Sequence, residues 1–226
     1  FIGQPVNVLY GYESAGLWTD SPEDLAEIEK FNANGQNFAP GMVRPVDQNG
    51  DYKIDPNYDR VVLGNTVPNW NLGFNNVLRW KNLELSIFIY GAFDFIAQTG
   101  QYQGGREPVI SMNYYNENNK VGAEYQRPYF NTAGGDSFSG ILLQKDASFL
   151  KVRQISLGYT LPEKWVKSIG LSNVKFTAQL KNPFSIYQGT SWMDSDYYMH
   201  STKNSDTSYA GTSYLRGFVF GVNIGF

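Results

Sequence analysis

The sequence predicts an all-β fold, an antiparallel transmembrane β-barrel, from three features. Apolar residues alternate with polar or small ones over several segments of about ten residues, which is the pattern of a strand with two unlike faces. The connections between these segments alternate between long and short, as the loops and turns of transmembrane barrels do. The chain has no apolar run of about 18 residues, which excludes a transmembrane helix.

The last strand shows the alternation most clearly. From position 218 onward its even positions are all large and apolar, and its odd positions are Gly, Val or Asn: the even set is Phe218, Phe220, Val222, Ile224 and Phe226. The chain stops on an aromatic residue, which resembles the closing strand of bacterial outer-membrane β-barrels. In those proteins the closing strand is the signal for the membrane-insertion machinery, so we assign that role to Phe218, Phe220 and Phe226. The alternative is the edge strand of a soluble sandwich.

Composition excludes several classes of protein. The 226 residues contain no Cys and a single His, His200, so a disulfide framework, thiolate chemistry and His-based metal clusters are excluded. A net charge of −3 gives no argument for binding nucleic acid. The aromatic content of 16% suits the aromatic girdles of a membrane barrel, and it suits a carbohydrate-binding β-protein equally well.

The first part of the chain predicts a strand and a short helix. Residues 5–18 form the first predicted strand, which Gly11 and Gly16 interrupt. Ser21 is a good helix N-cap, Pro22 suits the first helical position, and Leu25, Ile28 and Phe31 then follow at helical spacing. The chain begins without Met, so we expect it to be a piece of a longer protein.

The segment 47–59 resembles a calcium-binding loop. Oxygen-bearing side chains recur at short intervals, as a hard cation requires, and the candidate ligands are Asp47, Asn49, Asp51, Asp55 and Asp59. Two departures weaken the match: Tyr52 replaces the expected Gly, and the last carboxylate comes one residue late. The alternative is an Asx-rich turn whose side chains cap their own backbone. No other cofactor is required.

Four further strands are predicted, at 70–80, 83–95, 148–161 and 173–181. The first two form a hairpin around Lys81 and Asn82, with one apolar and one polar side. Each is close to the length that a tilted strand needs to cross a bilayer, and Trp70 and Trp80 end the first strand as interfacial aromatics do.

The connections between successive predicted strands are alternately long and short. The long ones are 19–68, 96–147 and 183–212, which all lie outside the cell if Phe226 is periplasmic. Six strands are too few to close, since the smallest barrels have about eight. We therefore expect residues 1–226 to be the carboxyl-terminal part of a larger barrel.

Several segments together resemble the SusC/RagA family of TonB-dependent outer-membrane transporters of Bacteroidota. They follow the family's order over nearly the whole chain: 9–18, 47–51, 54–55, 59–60, 64–65 with Pro68, 73–76, 85–88, 149–153, 157–162, 182–184 and the closing strand.

The resemblance implies a barrel of roughly 22 strands with a plug, of which this chain would supply the last six. The plug domain and the segment that engages TonB would lie upstream. The family imports glycans or peptides that are too large for porins, beneath a SusD-like surface lipoprotein that acts as a lid. The partners it implies are therefore that lipoprotein, TonB, the remaining strands and plug, and outer-membrane lipid.

Aromatic residues of the long loops are candidates for contact with the lid or with sugar rings: Tyr102, Tyr114, Tyr115, Trp192, Tyr197 and Tyr198. The alternative for each is packing between loops. An enzyme is not expected, because nothing fixes the separation of acidic pairs such as Asp194 and Asp196. The alternative function is a soluble carbohydrate-binding β-sandwich, which would need no detergent; a stand-alone small barrel conflicts with the strand count.

Overall fold

A computed structural model describes residues 3, 5, 7–98, 113–127, 136–190 and 216–226. The chain divides into two compact units, Phe1–Thr66 with Ile96–Lys145 and Val67–Phe95 with Asp146–Phe226. Within the described ranges, none of the helices has the length and apolar character needed to span a membrane.

In chain order the elements are β1 (Val8–Tyr12), β2 (Ser14–Leu17), α1 (Pro22–Ala33), β3 (Val43–Pro45), β4 (Arg60–Asn65), β5 (Trp70–Trp80), β6 (Leu83–Phe93), β7 (Ile96–Gln98), a 3-10 helix (Ser139–Leu143), β8 (Gln144–Asp146), β9 (Phe149–Thr160), α2 (Glu163–Ser168), β10 (Asn173–Gln188) and β11 (Gly217–Gly225).

The second unit is built on a five-stranded sheet in the order β11-β10-β9-β6-β5. Every neighbouring pair is antiparallel, which confirms the predicted all-β, antiparallel class. The turn between β5 and β6 consists of Lys81 and Asn82, as predicted, and Lys81 takes a left-handed φ of 52°. Asn82 also exchanges hydrogen bonds with Thr160, which ties this turn to β9.

The register gives the sheet one apolar and one polar face. A single row across the five strands reads Phe220, Ala178, Leu157, Leu85 and Leu78. The adjacent row, on the opposite face, reads Gly221, Thr177, Gly158, Glu84 and Arg79. Most large apolar side chains of the first face are exposed, although a large exposed apolar surface is unfavourable in water. This arrangement suits strands that turn one face to lipid and the other to an aqueous lumen.

A charged bridge crosses the polar face near the turn end of the sheet. The Glu84 carboxylate accepts hydrogen bonds from Arg79 Nε at 2.8 Å and from Lys175 Nζ at 3.0 Å. Lys175 reaches Glu84 by passing over Gly158 of the intervening strand, where an added Cβ would lie 2.7 Å from Lys175 Cε. Glycine at this position therefore leaves room for the bridge.

β10 is longer than the predicted strand 173–181, and the loop predicted to start at 183 begins within it. A proline usually ends a central strand because it has no N–H to donate. Here the register with β9 shifts between Lys181 and Phe184, and Asn182 takes a φ of 48°, so Pro183 lies in an irregularity of the ladder. The strand continues beyond it.

The first unit has its own core beside α1. The buried residues of this core are Trp18, Ile28, Phe31, Phe38, Met42 and Ile54. The ring of Trp18 lies 5.7 Å from the rings of both Phe31 and Phe38, and the Arg44 guanidinium lies 4.3 Å from the Trp18 ring. The predicted helix cap is confirmed, since Ser21 Oγ accepts a hydrogen bond from the amide of Asp24 at 3.2 Å.

The prediction of one long strand over residues 5–18 was wrong. The segment forms β1, which pairs with β4, and β2, which pairs with β3, so among the described residues the main sheet has five strands rather than six. Gly16 takes a left-handed φ of 96° within β2, and its register with β3 is irregular between Ser14 and Leu17. The segments predicted as loops at 19–68 and 96–147 also contain α1, the short strands β3, β4, β7 and β8, and the 3-10 helix.

Candidate functional site

The closing strand presents the residues predicted as the insertion signal. β11 pairs with β10 without a register shift, from the Gly217–Lys181 pair at one end to the Gly225–Asn173 pair at the other. Phe218 and Phe220 lie on the apolar face of the sheet, Phe226 follows directly, and all three side chains are exposed. They are therefore accessible to another molecule, and their role as a signal stays a prediction.

Only two of the six loop aromatics predicted to contact cargo or lid lie within the described residues, and they differ sharply. Tyr114 is 42% exposed, whereas Tyr115 is only 1% exposed. Tyr115 packs against Gly41, where an added Cβ would lie 2.7 Å from its ring, and Arg127 lies 5.6 Å from the ring centre. Burial raises the pKa of Tyr115. Tyr115 thus packs between loops, which was the alternative to contact with cargo or lid.

The other candidates lie outside the described residues: Tyr102, Trp192, Tyr197 and Tyr198, together with the acidic pair Asp194 and Asp196.

Asparagine side chains hold the backbone around Tyr114. Asn116 Nδ2 and Asn119 Nδ2 donate to the Tyr114 carbonyl at 3.0 and 3.2 Å, and Asn113 Nδ2 donates to the Gly122 carbonyl at 2.6 Å. The sequence showed only that this segment is rich in Asn, and the spacing of these residues by three was the available signal. Tyr114 therefore projects from a braced turn.

An ion pair fastens the same segment to the residues before α1. Lys120 Nζ lies 2.6 Å from the Asp20 carboxylate and 3.4 Å from that of Glu117. The hydrogen bond with Lys120 lowers the pKa of Asp20, and the hydrogen bond with Asp20 raises the pKa of Lys120. Both groups are charged near neutral pH in any case, and the two shifts widen the pH range over which the ion pair between the segments persists.

The first half of the calcium-like loop uses its side chains on its own backbone. Asp47 accepts hydrogen bonds from the amides of Gly50 and Tyr52 at 2.7 and 2.8 Å, and Asp51 accepts one from Lys53 at 2.9 Å. Tyr52 has a φ of 60°, the left-handed conformation that glycine adopts most easily.

The second half is organised around Asp59, which is fully buried. Its two oxygens accept hydrogen bonds from the amides of Gln48 at 2.9 Å and Asp55 at 2.7 Å, while Asp55 accepts one from Asn57 at 2.8 Å. Among the described residues, no group of three or more His, Cys, Asp or Glu side chains is placed to hold a metal ion. This geometry matches the Asx-rich alternative, and the calcium site stays a prediction.

Substitution of Asp59 by alanine separates the two interpretations. We expect a loss of about 2 kcal/mol in the free energy of unfolding, because the amides of Gln48 and Asp55 lose the acceptor that the buried Asp59 carboxylate supplies. The same loss is expected with and without added Ca²⁺, measured by denaturant unfolding in detergent. The exposed Asp51→Ala serves as the control, with a much smaller effect. A loss that appears only in the presence of Ca²⁺ would instead establish the metal site.

Curated relatives of this chain are TonB-dependent receptors of Formosa agariphila. TonB-dependent receptor P3 is 25% identical over 241 residues, which cover 99% of this chain and 22% of the receptor. TonB-dependent receptor P26 is 27% identical over 191 residues, which cover 77% of this chain and 17% of that receptor. The chain thus spans less than a quarter of the length of these relatives. No protein-family model matches it.

Solved structures of RagAB share the fold. The RagAB peptide importer in its open-open state matches with a TM-score of 0.58 at 15% identity, over 100% of this chain and 24% of the matched one. The closed-closed state matches with a TM-score of 0.50 at 19% identity, over 80% of this chain and 19% of the matched one.

The exposed apolar face and the antiparallel sheet agree with both kinds of likeness. They confirm the resemblance that the sequence predicted: the chain is SusC/RagA-like in fold and similar to part of a TonB-dependent receptor, which supports the predicted location in the bacterial outer membrane.

Proposed function

We propose that this chain forms part of the barrel wall of a transporter that imports large nutrients, glycans or peptides, across the outer membrane by a TonB-dependent mechanism. The observation that supports this most is the two-faced sheet: one row of the register is apolar across all five strands and the next is polar. Such a wall separates lipid from a wet lumen. The match to a peptide importer over the whole chain agrees with it.

The remaining strands and the plug are the first partners that we propose. Within the described residues, β5 and β11 each pair with one neighbouring strand only. In lipid an unpaired strand edge is costly, because each unsatisfied backbone group costs several kcal/mol. Further strands of the same transporter would satisfy both edges, and a roughly 22-stranded barrel would leave room for a plug.

The proposed external partners are a SusD-like lipoprotein over the extracellular loops and TonB acting through the upstream part. Tyr114 is the described aromatic best suited to touch cargo or the lipoprotein, because its side chain is exposed on a turn braced by asparagine. We further propose Phe218, Phe220 and Phe226 as the insertion signal, supported by their exposure. The chain performs no catalysis in this scheme.

Uptake by living cells tests the function. A strain that lacks the full-length protein is complemented with the wild type, and uptake of a fluorescent oligosaccharide and of a fluorescent peptide is measured. We expect uptake of one of the two to be restored, and to be lost when TonB is deleted or the proton gradient is collapsed. In the same strain Tyr114→Ala is expected to reduce uptake at low cargo concentration, and Tyr58→Ala, exposed elsewhere in the first unit, is the control.

Two results would contradict the proposal. Restored uptake that survives deletion of TonB would indicate a passive pore. Extraction of the protein from cells without detergent would favour the soluble carbohydrate-binding sandwich.

A further inference from the structure

The short helix α2 lies at the edge of the apolar face of the sheet. It contacts β10, the strand that follows it, and the Leu171 amide donates to the Val166 carbonyl at 3.1 Å. Val174 is on the apolar face, where it pairs with Ile224, yet it is only 5% exposed, while Phe176 on the same face and strand is 45% exposed. Val166 is also buried. The Val166 side of α2 therefore covers the start of the apolar face.

The side of α2 next to the Val166 side is apolar and exposed. Trp165 in the helix and Ile169 at its C-cap are four residues apart, so they share this side, and they are 63% and 66% exposed. Lys164 precedes Trp165 in the chain, while Lys167, on the side of the helix away from Trp165 and Ile169, pairs with Glu163 at 3.0 Å. An exposed indole and an exposed branched aliphatic side chain, with lysines on the other sides of the helix, form the pattern of a surface that enters the interface of a bilayer, where Trp is favoured and Lys reaches the phosphates.

Two exposed aromatic side chains lie at the same end of the sheet as α2. Trp80 ends β5 on the apolar face, beside the turn to β6, and its side chain is exposed. Phe226 follows β11, whose last residue accepts a hydrogen bond from the Ser172 amide at 2.9 Å, directly after the α2 connection. The helix α2 and these two side chains therefore lie at the same end of the apolar face.

We infer that α2 is an interfacial helix, which lies in the headgroup region of the phospholipid leaflet on the side of the short connections. Trp165 and Ile169 enter the lipid, and Lys164 faces the phosphates. A helix of six residues is too short to be stable alone, so Val166 and the sheet hold it in place. This inference depends on the location of the chain in the membrane and not on transport.

Spin labelling of the full-length protein in phospholipid bilayers tests it. The chain has no cysteine, so Trp165→Cys, Ile169→Cys and Glu163→Cys each give one labelling position in this region. Leu157→Cys, in the apolar row on β9, is the lipid control. Collisions of the label with oxygen, which concentrates in lipid, are compared with collisions with a water-soluble nickel complex.

We expect oxygen to dominate at positions 165, 169 and 157 and the nickel complex to dominate at 163. Nickel dominance at 165 and 169 with oxygen dominance at 157 overturns the inference alone. Few collisions with either reagent at 165 and 169 overturn it too, because a protein surface would then cover the helix. Nickel dominance at all four positions overturns the membrane location of the sheet together with the inference, whereas loss of uptake alone leaves the inference standing.

Discussion

Replacement of Trp18 by alanine is expected to lower the free energy of unfolding by about 3–5 kcal/mol, the largest loss expected here. Trp18 is fully buried at the centre of the first unit, where it packs against Phe31 and Phe38. Its removal leaves a cavity that these rings fill only in part. It also removes the ring beneath Arg44, whose guanidinium is held by Asp24 at 3.0 Å and by Glu27. Denaturant unfolding, followed by near-ultraviolet circular dichroism, measures the loss.

The control for this substitution is Tyr58→Ala, which removes an exposed aromatic side chain from the same unit. Surface substitutions of this kind usually change stability by about 0.5 kcal/mol or less. If Trp18→Ala cost no more than Tyr58→Ala, the cluster around α1 would not be the core of the unit.

Leu157→Arg is expected to destabilise the protein in a bilayer, because arginine on the lipid face costs up to about 2–4 kcal/mol, depending on its depth. Leu157 is in the central strand of the sheet, between Ala178 and Leu85 in the apolar row. The measurement is guanidinium unfolding of the protein in phospholipid vesicles, with heat-modifiable migration in gels as a check of assembly.

The neighbouring Ser156→Arg is the matched control, because Ser156 is on the polar face between Ser86 and Gln179. Its effect should be far smaller in the same vesicles. A larger loss for Ser156→Arg than for Leu157→Arg would mean that the polar face meets lipid, and the proposed orientation of the sheet would be wrong.

Periodicity predicted the strands of the main sheet well, because each has one face that is apolar over most of its length. The predicted strand 70–80 has the bounds of β5, and 148–161 differs from β9 by one residue at each end. The proline at position 183 led to the prediction that the strand ends there. The strand continues because a register irregularity accommodates Pro183, and this irregularity depends on the partner strand. The segment 5–18 shows the same limit, since its pairing with β3 and β4 depends on distant residues.

The candidate site was less predictable, because side-chain roles there depend on tertiary contacts. Tyr114 and Tyr115 are adjacent and identical in type, yet Gly41 and Arg127 bury only the second. The sequence located the carboxylates of the segment 47–59 and raised the Asx-rich alternative. It could not show that Asp59 is buried with two backbone amides as its donors.

The bridge from Lys175 to Glu84 has a consequence for how the barrel wall assembles. It joins β10 to β6 across β9, so it forms only when both strand pairings are in their native register. A slip of β10 by one residue would turn Lys175 to the lipid face and leave Glu84 without it. A misaligned hairpin therefore lacks the stabilisation that the bridge gives to the native register. The absence of a side chain at Gly158 is what allows the bridge to depend on the alignment of three strands.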